Sequence, residues 1–391
     1  MHVGHRAYYP DRMRWDIFCK VIDNHGDLGV TWRLSAELAA RGEEVRLWVD
    51  EPASLAWMAP GGRDGVDVVR WDANARDAEP GDVVVEAFGC DPHEAFVAAM
   101  ARRWRSQGRQ PAWINLEYLS AETWVERFHG LPSPVAHGPG AGLVKRFIYP
   151  GFTPRTGGLI REHELAQRQQ RFDRAAWLRE IAPRLQDEAG APIPAETLAA
   201  ESLVSLFCYE PPALSALLRQ LGESRLPKRL LVTSGRAGDA VRRALATLPR
   251  PHPRLAFLPL LSQAGYDELL WASDLNFVRG EDSLVRAIWA GRPFVWQIYP
   301  QQDQAHEAKL RAFLDLLAPP ASLRQAFLAW NGLSADWPGD TGDWIAAAEA
   351  FRARLQAQPE LVTTLMTVER DEAVPGGGGL EHFSGGRRRR R

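Results

Sequence analysis

No stretch of this sequence reaches the ~18 consecutive apolar residues of a membrane-spanning helix, so no membrane span is expected. Cysteine is scarce: Cys19, Cys90 and Cys208 are the three in 391 residues, each in an apolar segment and far from the others. An odd, scattered set argues against a disulfide framework and for a reducing cytoplasm, the expected location. The ten histidines show no metal-ligand spacing, so structural zinc is not expected. The opening residues, MHVGHRAYYPDRMRWD, lack an apolar core followed by a small-residue cleavage site, so no secretory leader is expected. Charge of one sign is also lacking. The net value is −2, and the terminal RRRRR run leaves the remaining chain acidic. That balance gives no electrostatic reason for a specific nucleic-acid partner, and the arginine run reads as a solvated end.

Two further absences concern chemistry. The G-x-G-x-x-G fingerprint does not follow the first strand-like run, which disfavours a dinucleotide-dependent dehydrogenase. No Asp-x-Asp pair occurs anywhere, so a common metal-chelating signature for diphosphate ligands is missing, and neither metal nor cofactor is expected.

What is present is an alternation of short apolar runs with amphipathic stretches. WDIFCKVI, EVRLWVD, VDVVRW, DVVVEAF and AWINLEY read as strands, and LGVTWRLSAELAARG and HEAFVAAMARRWR as helices between them. The pattern breaks between about 150 and 200, through PGFTPRTGG, a polar helical stretch and EAGAPIPAE. It restarts with SLVSLFCYE, KRLLVTSG, RLAFLPL, DLNFVRG and PFVWQIY, again separated by helical segments. Short buried strands alternating with helices indicate an α/β protein with parallel sheets covered on both faces. The expected organisation is a flexible extension at 1–14, a Rossmann-like domain at 15–190, a second at 200–372 with closing helices, and a disordered Gly/Arg-rich tail at 373–391. Ligands in such sheets sit beyond the carboxyl ends of the strands, here in a central cleft between the domains.

Two constellations fall at those ends. The first is Asp23-Asn24-His25-Gly26-Asp27, between the first strand and first helix. Asp27 at a helix start suits capping, and it equally suits a general base at the cleft. Asp23 suits an Asx-turn, or a second carboxylate that holds a cationic acceptor group. Asn24, His25 and Gly26 complete a turn able to approach a ligand, with His25 a loop side chain more than a catalyst. The second is Arg279-Gly280-Glu281-Asp282-Ser283, a turn from a strand into a helix. Its helix N-terminus and Arg279 suit a diphosphate, Ser283 offers a further hydrogen bond, and Glu281 and Asp282 suit sugar hydroxyls. A capped helix with a salt-bridged arginine is the alternative. Phe207 and Tyr209, with Gln263, add aromatic faces and an amide suited to a pyrimidine base; core packing is the alternative for Phe207.

These motifs carry a family resemblance. IFCKVIDNHGDLGVTWRL, FCYE and FVRGEDSLVRAIWAGRPFVWQIYPQQDQAH are similar to the arginine rhamnosyltransferases of elongation factor P, over roughly residues 15 to 370. The resemblance implies a GT-B fold, dTDP-β-L-rhamnose as donor, and one arginine of elongation factor P as acceptor, with inversion at the anomeric carbon. It implies Asp27 as general base with Asp23 as partner, Tyr209 and Gln263 at the donor, and Phe207 beside the nucleotide. Arg279, Glu281, Asp282 and Ser283 then hold the diphosphate and rhamnose, with Glu281 also able to steer the acceptor cation. FLPLLSQAGYD is longer than the matching segment of some relatives, which weakens the case for Phe257 as the base-stacking aromatic without removing it. Two rival functions are a small-molecule nucleotide-sugar glycosyltransferase or epimerase, and a non-catalytic clamp on a translation factor.

Overall fold

The computed structural model describes residues 12–22, 25–72, 78–299, 305–339 and 342–373. The first half runs β1 (Arg14–Cys19), α1 (Gly26–Ala40), β2 (Glu44–Val49), α2 (Leu55–Met58), β3 (Val66–Arg70), β4 (Val83–Ala87), α3 (Glu94–Gln107), β5 (Ala112–Leu116), α4 (Val125–Phe128), β6 (Pro132–Pro134) and β7 (Val144–Ile148). Helices α5 (Leu165–Arg171), α6 (Arg174–Ile181) and α7 (Ala195–Ala199) bridge to the second half. That half runs β8 (Ser202–Leu206), α8 (Leu214–Gly222), β9 (Lys228–Val232), α9 (Arg236–Leu245), β10 (Arg254–Phe257), α10 (Gln263–Ala272), β11 (Leu275–Arg279), α11 (Gly280–Ala290) and β12 (Phe294–Gln297). Four helices finish the described chain: α12 (Ala305–Leu317), α13 (Ala321–Trp330), α14 (Trp344–Gln356) and α15 (Leu361–Ala373).

Each half builds one sheet. The first has strand order β3-β2-β1-β4-β5-β7-β6 and the second β10-β9-β8-β11-β12. Among the described residues the strand pairings within the sheets are parallel except β6 with β7. Central strands such as β4 (VVVEA) are buried along their whole length, the signature of a sheet covered on both faces. This is the α/β, two-Rossmann, GT-B arrangement the motifs imply. In both sheets the order reverses beside the first strand, between β1 and β4 and between β8 and β11, and such switch points open a ligand crevice.

Two elements lay outside the sequence reading. Strand β7 (VKRFI) is half-buried with a lysine and an arginine, so it shows no apolar run, and β6 carries two prolines. Packing also divides the chain differently from the boundaries near 190 and 372. Trp177, Leu178, Ile181 and Leu198 pack with Leu203, Leu231 and Ala256 of the second sheet. At the other end, Leu361, Val362 and Leu365 of α15 return to the first core, against Ile17, Leu34 and Ile114. The chain therefore crosses between halves twice.

A buried charge network ties the halves together. Arg33 of α1 reaches Glu162, Asp267 of α10 and Asp282 of α11, each at 3.0 Å. Arg286 of α11 makes two hydrogen bonds to Asp267 at 2.8 and 2.9 Å and one to Glu162 at 2.6 Å. Arg168 adds a longer contact to Asp267 at 3.5 Å. Burial alone would raise the Glu162 carboxyl, but Arg286 and Arg33 outweigh it and hold it well below the ordinary carboxylate range.

Below the ordinary value of about 4.5 the unfolded chain protonates Glu162 while the folded chain does not, so stability falls with pH there. Glu162→Gln should lower the melting temperature at pH 7. Its gap to the wild type should close as pH drops from about 4.5 through the depressed folded value. Melting curves of both proteins between pH 7 and 3 check this; a gap constant to pH 3 contradicts it.

Candidate active site

The carboxyl end of β1 leads into α1 with Asp27 as its second residue. The Asp27 side chain is buried, and its Oδ2 accepts a hydrogen bond from the Ile22 amide at 2.9 Å. The N-cap residue His25 makes no side-chain cap bond, and Asp27, in the first turn, braces the incoming loop. The carboxylate also sits in the first helical turn, where the helix dipole favours negative charge. The His25 ring meets Trp57 edge-on at 5.0 Å. Asp23 and Asn24 lie outside the described residues.

The second sheet's switch point places β8 and β11 side by side, so the residues after both strands converge. The Arg279 guanidinium lies over the rings of Phe207 and Tyr209, 4.4 and 4.2 Å from their centroids. Tyr209 is tethered further, its amide donating to Gln297 Oε1 at 2.8 Å. The turn after Arg279 needs glycine: Gly280 has φ of 68°, the left-handed region, and its carbonyl accepts from Trp296 Nε1 at 2.8 Å. Ser283 closes the turn on itself. Its Oγ accepts from the Arg279 amide at 3.1 Å and donates to the Arg279 carbonyl. That hydroxyl proton is thus engaged within the turn, whereas the sequence suggested it for a ligand.

The acidic residues of the turn reach across to the first half. Glu281 accepts from the Leu119 amide at 2.8 Å and pairs with Lys309 at 2.9 Å. Asp282 pairs with Arg33. Gln263, the first residue of α10, donates to the Gly29 carbonyl of α1 at 3.0 Å. A Cβ at Gly29 would lie 3.1 Å from Gln263 Nε2 and 3.4 Å from Asp282 Oδ2, so glycine permits this approach.

One cleft of about 360 Å³ collects these groups. His25, Gly26 and Trp57 line it from the first half; Phe207, Tyr209, Gln263 and the whole Arg279–Ser283 turn line it from the second. It is electrostatically graded, with Arg279 and Arg236 against the aromatic rings and Glu281 and Asp282 at the domain junction. Asp27 stands in the helix that opens at Gly26, just behind this lining.

Residues 15–369 match the family described as elongation factor P (EF-P) rhamnosyltransferase EarP. The chain belongs to that family. It is 43% identical over 381 residues to the protein-arginine rhamnosyltransferase of Pseudomonas aeruginosa, covering 90% of this chain and 97% of that protein. The corresponding protein of Pseudomonas putida is 41% identical with the same coverage. A structure solved to explain EarP-mediated arginine glycosylation of translation elongation factor EF-P superposes with a TM-score of 0.59 at 29% identity, over 92% of this chain and 99% of that one.

Several groups in this EarP-family cleft escaped the sequence reading. Thr233-Ser234-Gly235-Arg236 lines it through the same strand–glycine–helix pattern as the Arg279 turn, with Gly235 at φ of 76°; the signal was there in VTSGR. Tyr266 lies edge-on to Phe207 at 5.6 Å, and burial pushes its phenol well above the ordinary range. Arg33 gave a fainter signal, a charge among the apolar positions of α1. Phe257 does not line the cleft; its ring faces Arg242 at 4.7 Å. The three cysteines are buried, and burial pushes each thiol up to about 12, leaving them protonated at neutral pH. Among the described residues no group of three or more His, Cys, Asp or Glu side chains is placed to hold a metal.

Proposed function

We propose that this protein is a cytoplasmic inverting glycosyltransferase that moves L-rhamnose from dTDP-β-L-rhamnose to an arginine side chain of elongation factor P. One observation carries the reading: in a chain of the EarP family, the Arg279–Ser283 turn and the helix bearing Asp27 meet at a single cleft. In this mechanism the diphosphate lies against Arg279 and the free amides that open α11, where the positive helix end stabilises the leaving group. Phe207 and Tyr209 flank the nucleotide, Gln263 offers its amide, and Glu281 and Asp282 accept hydrogen bonds from rhamnose hydroxyls. No metal is then required.

The acceptor is a difficult nucleophile, because a guanidinium is protonated and delocalised near neutral pH. Asp27, with Asp23, orients it opposite the departing dTDP and takes a proton as the bond forms. The anomeric C–O bond breaks with its electrons leaving on the diphosphate. A C–N bond forms on the other face, giving an α-linked rhamnosyl arginine.

Intact-mass spectrometry of elongation factor P after incubation with this protein and dTDP-β-L-rhamnose should show the gain of one deoxyhexose, on arginine and undiminished by EDTA. An unmodified factor overturns the function, and activity lost to EDTA and restored by magnesium or manganese overturns the metal-free mechanism. Asp27→Asn keeps an oxygen that can accept from the Ile22 amide, so donor affinity should stay near wild type. Single-turnover transfer should nevertheless fall by at least ~10², the scale of a lost general base. Near-normal turnover would leave Asp27 as a loop brace.

A further inference from the structure

The helix that begins beside the proposed base touches the donor side of the cleft at two points one turn apart. Gly29 receives the Gln263 amide through its carbonyl, and Arg33 pairs with Asp282. We propose that Arg33 is a positioning residue: it fixes the Asp282 carboxylate for the donor sugar and so makes sugar recognition depend on the opposite domain. This rests on the donor assignment above.

The geometry separates this role from simple domain gluing. Arg33 contacts three carboxylates, but two of them have a second arginine. Asp267 keeps both Arg286 bonds and Arg168, and Glu162 keeps Arg286. Among the described residues, Arg33 is the one cation in ion-pair contact with Asp282. Burial raises the Asp282 carboxyl, and Arg33 is the first of the two arginines that oppose it, Arg286 being the other. Asp267 and Glu162 face it from α10 and the interdomain segment and add like charge. Losing Arg33, which itself lines the cleft, therefore leaves the network's centre paired while releasing Asp282, the one acid of the network among the cleft-lining residues.

Helix α1 also lies in van der Waals reach of Asp282. Asp282 Oδ2 lies 3.4 Å from where a Cβ on Gly29 would stand, so α1 backs directly onto this side chain. One arginine serves Glu162 and Asp267 by hydrogen bonds and Asp282 by an ion pair at Nε outside hydrogen-bond geometry; a lysine ammonium keeps the charge without the fork that reaches all three.

The test is calorimetric binding of dTDP and dTDP-β-L-rhamnose to the full chain, in a double-mutant cycle. Arg33→Gln should weaken the rhamnosyl nucleotide by roughly tenfold and dTDP by less than about twofold, a coupling typical of contacting residues. In the Asp282→Asn background the same change should have no further effect on the ratio of the two affinities. Glu162→Gln, which removes one like charge near Asp282 but keeps the Arg33–Asp282 pair, should change that ratio by less than about twofold, and Arg33→Lys should recover part of it. The idea is overturned if Arg33→Gln weakens both ligands equally, or if its effect on the ratio persists without the Asp282 carboxylate. Should Arg33→Gln not fold, Arg33→Lys is read by the same criteria. A wild-type protein that binds both ligands with equal affinity removes the sugar assignment itself, and this proposal with it; that failure shows before any variant is made.

Discussion

Everything about the cleft depends on how two sheets, each folded around its own core, are set against one another, and a small buried charge cluster sets them. Arg33 leaves α1 of the first half and meets Asp267 and Asp282 of the second, while Arg286 and Glu162 close the ring. Desolvating such charges is costly, and the arrangement holds because Asp267 and Glu162 each see two arginines at hydrogen-bond distance. Removing one partner from a buried pair typically costs about 3–5 kcal/mol, since the other is left uncompensated. Directional ion pairs also fix a domain register more narrowly than apolar contact does. Glu281 to Leu119 and Gln263 to Gly29 add two further bonds across the junction.

Local chemistry was readable in the sequence where it depends on local pattern. The strand–turn–helix at Asp27 and the Arg279–Ser283 turn both sit where alternating apolar runs placed them, at the carboxyl ends of β1 and β11. The same logic applied to VTSGR would have added the Thr233–Arg236 turn, whose glycine has a positive φ like Gly280. Strand β7 was not readable, because VKRFI carries charge on a half-buried edge. The partners of Arg33 were beyond reach for a different reason: Glu162, Asp267 and Asp282 lie far along the chain, and no periodicity connects an arginine to them. The return of α15 to the first core is likewise a non-local packing choice.

Ser283 and Glu281 show how residue type and residue use separate. A serine at a helix start beside an arginine suggests a phosphate ligand, yet its hydroxyl is spent on the Arg279 backbone, shaping the turn that holds the guanidinium over two rings. Glu281 suggests a sugar ligand or a steering charge, and one of its oxygens braces the loop after β5. Both lie in the cleft wall, and both reach it already tied to backbone. A site built in this way is held in shape before any ligand arrives, which suits the orientation that an arginine nucleophile demands.

The central claim is that one cleft, framed by the Arg279 turn and the aromatic pair, receives the donor while α1 closes it from the other side. A crystal structure of the protein with dTDP-β-L-rhamnose bound tests this most directly. The account predicts the diphosphate on Arg279 and the first amides of α11, the thymine beside Phe207, and the sugar against Glu281 and Asp282, with the Arg33–Asp282 pair intact. A nucleotide bound elsewhere, or one whose diphosphate avoids Arg279, would contradict it.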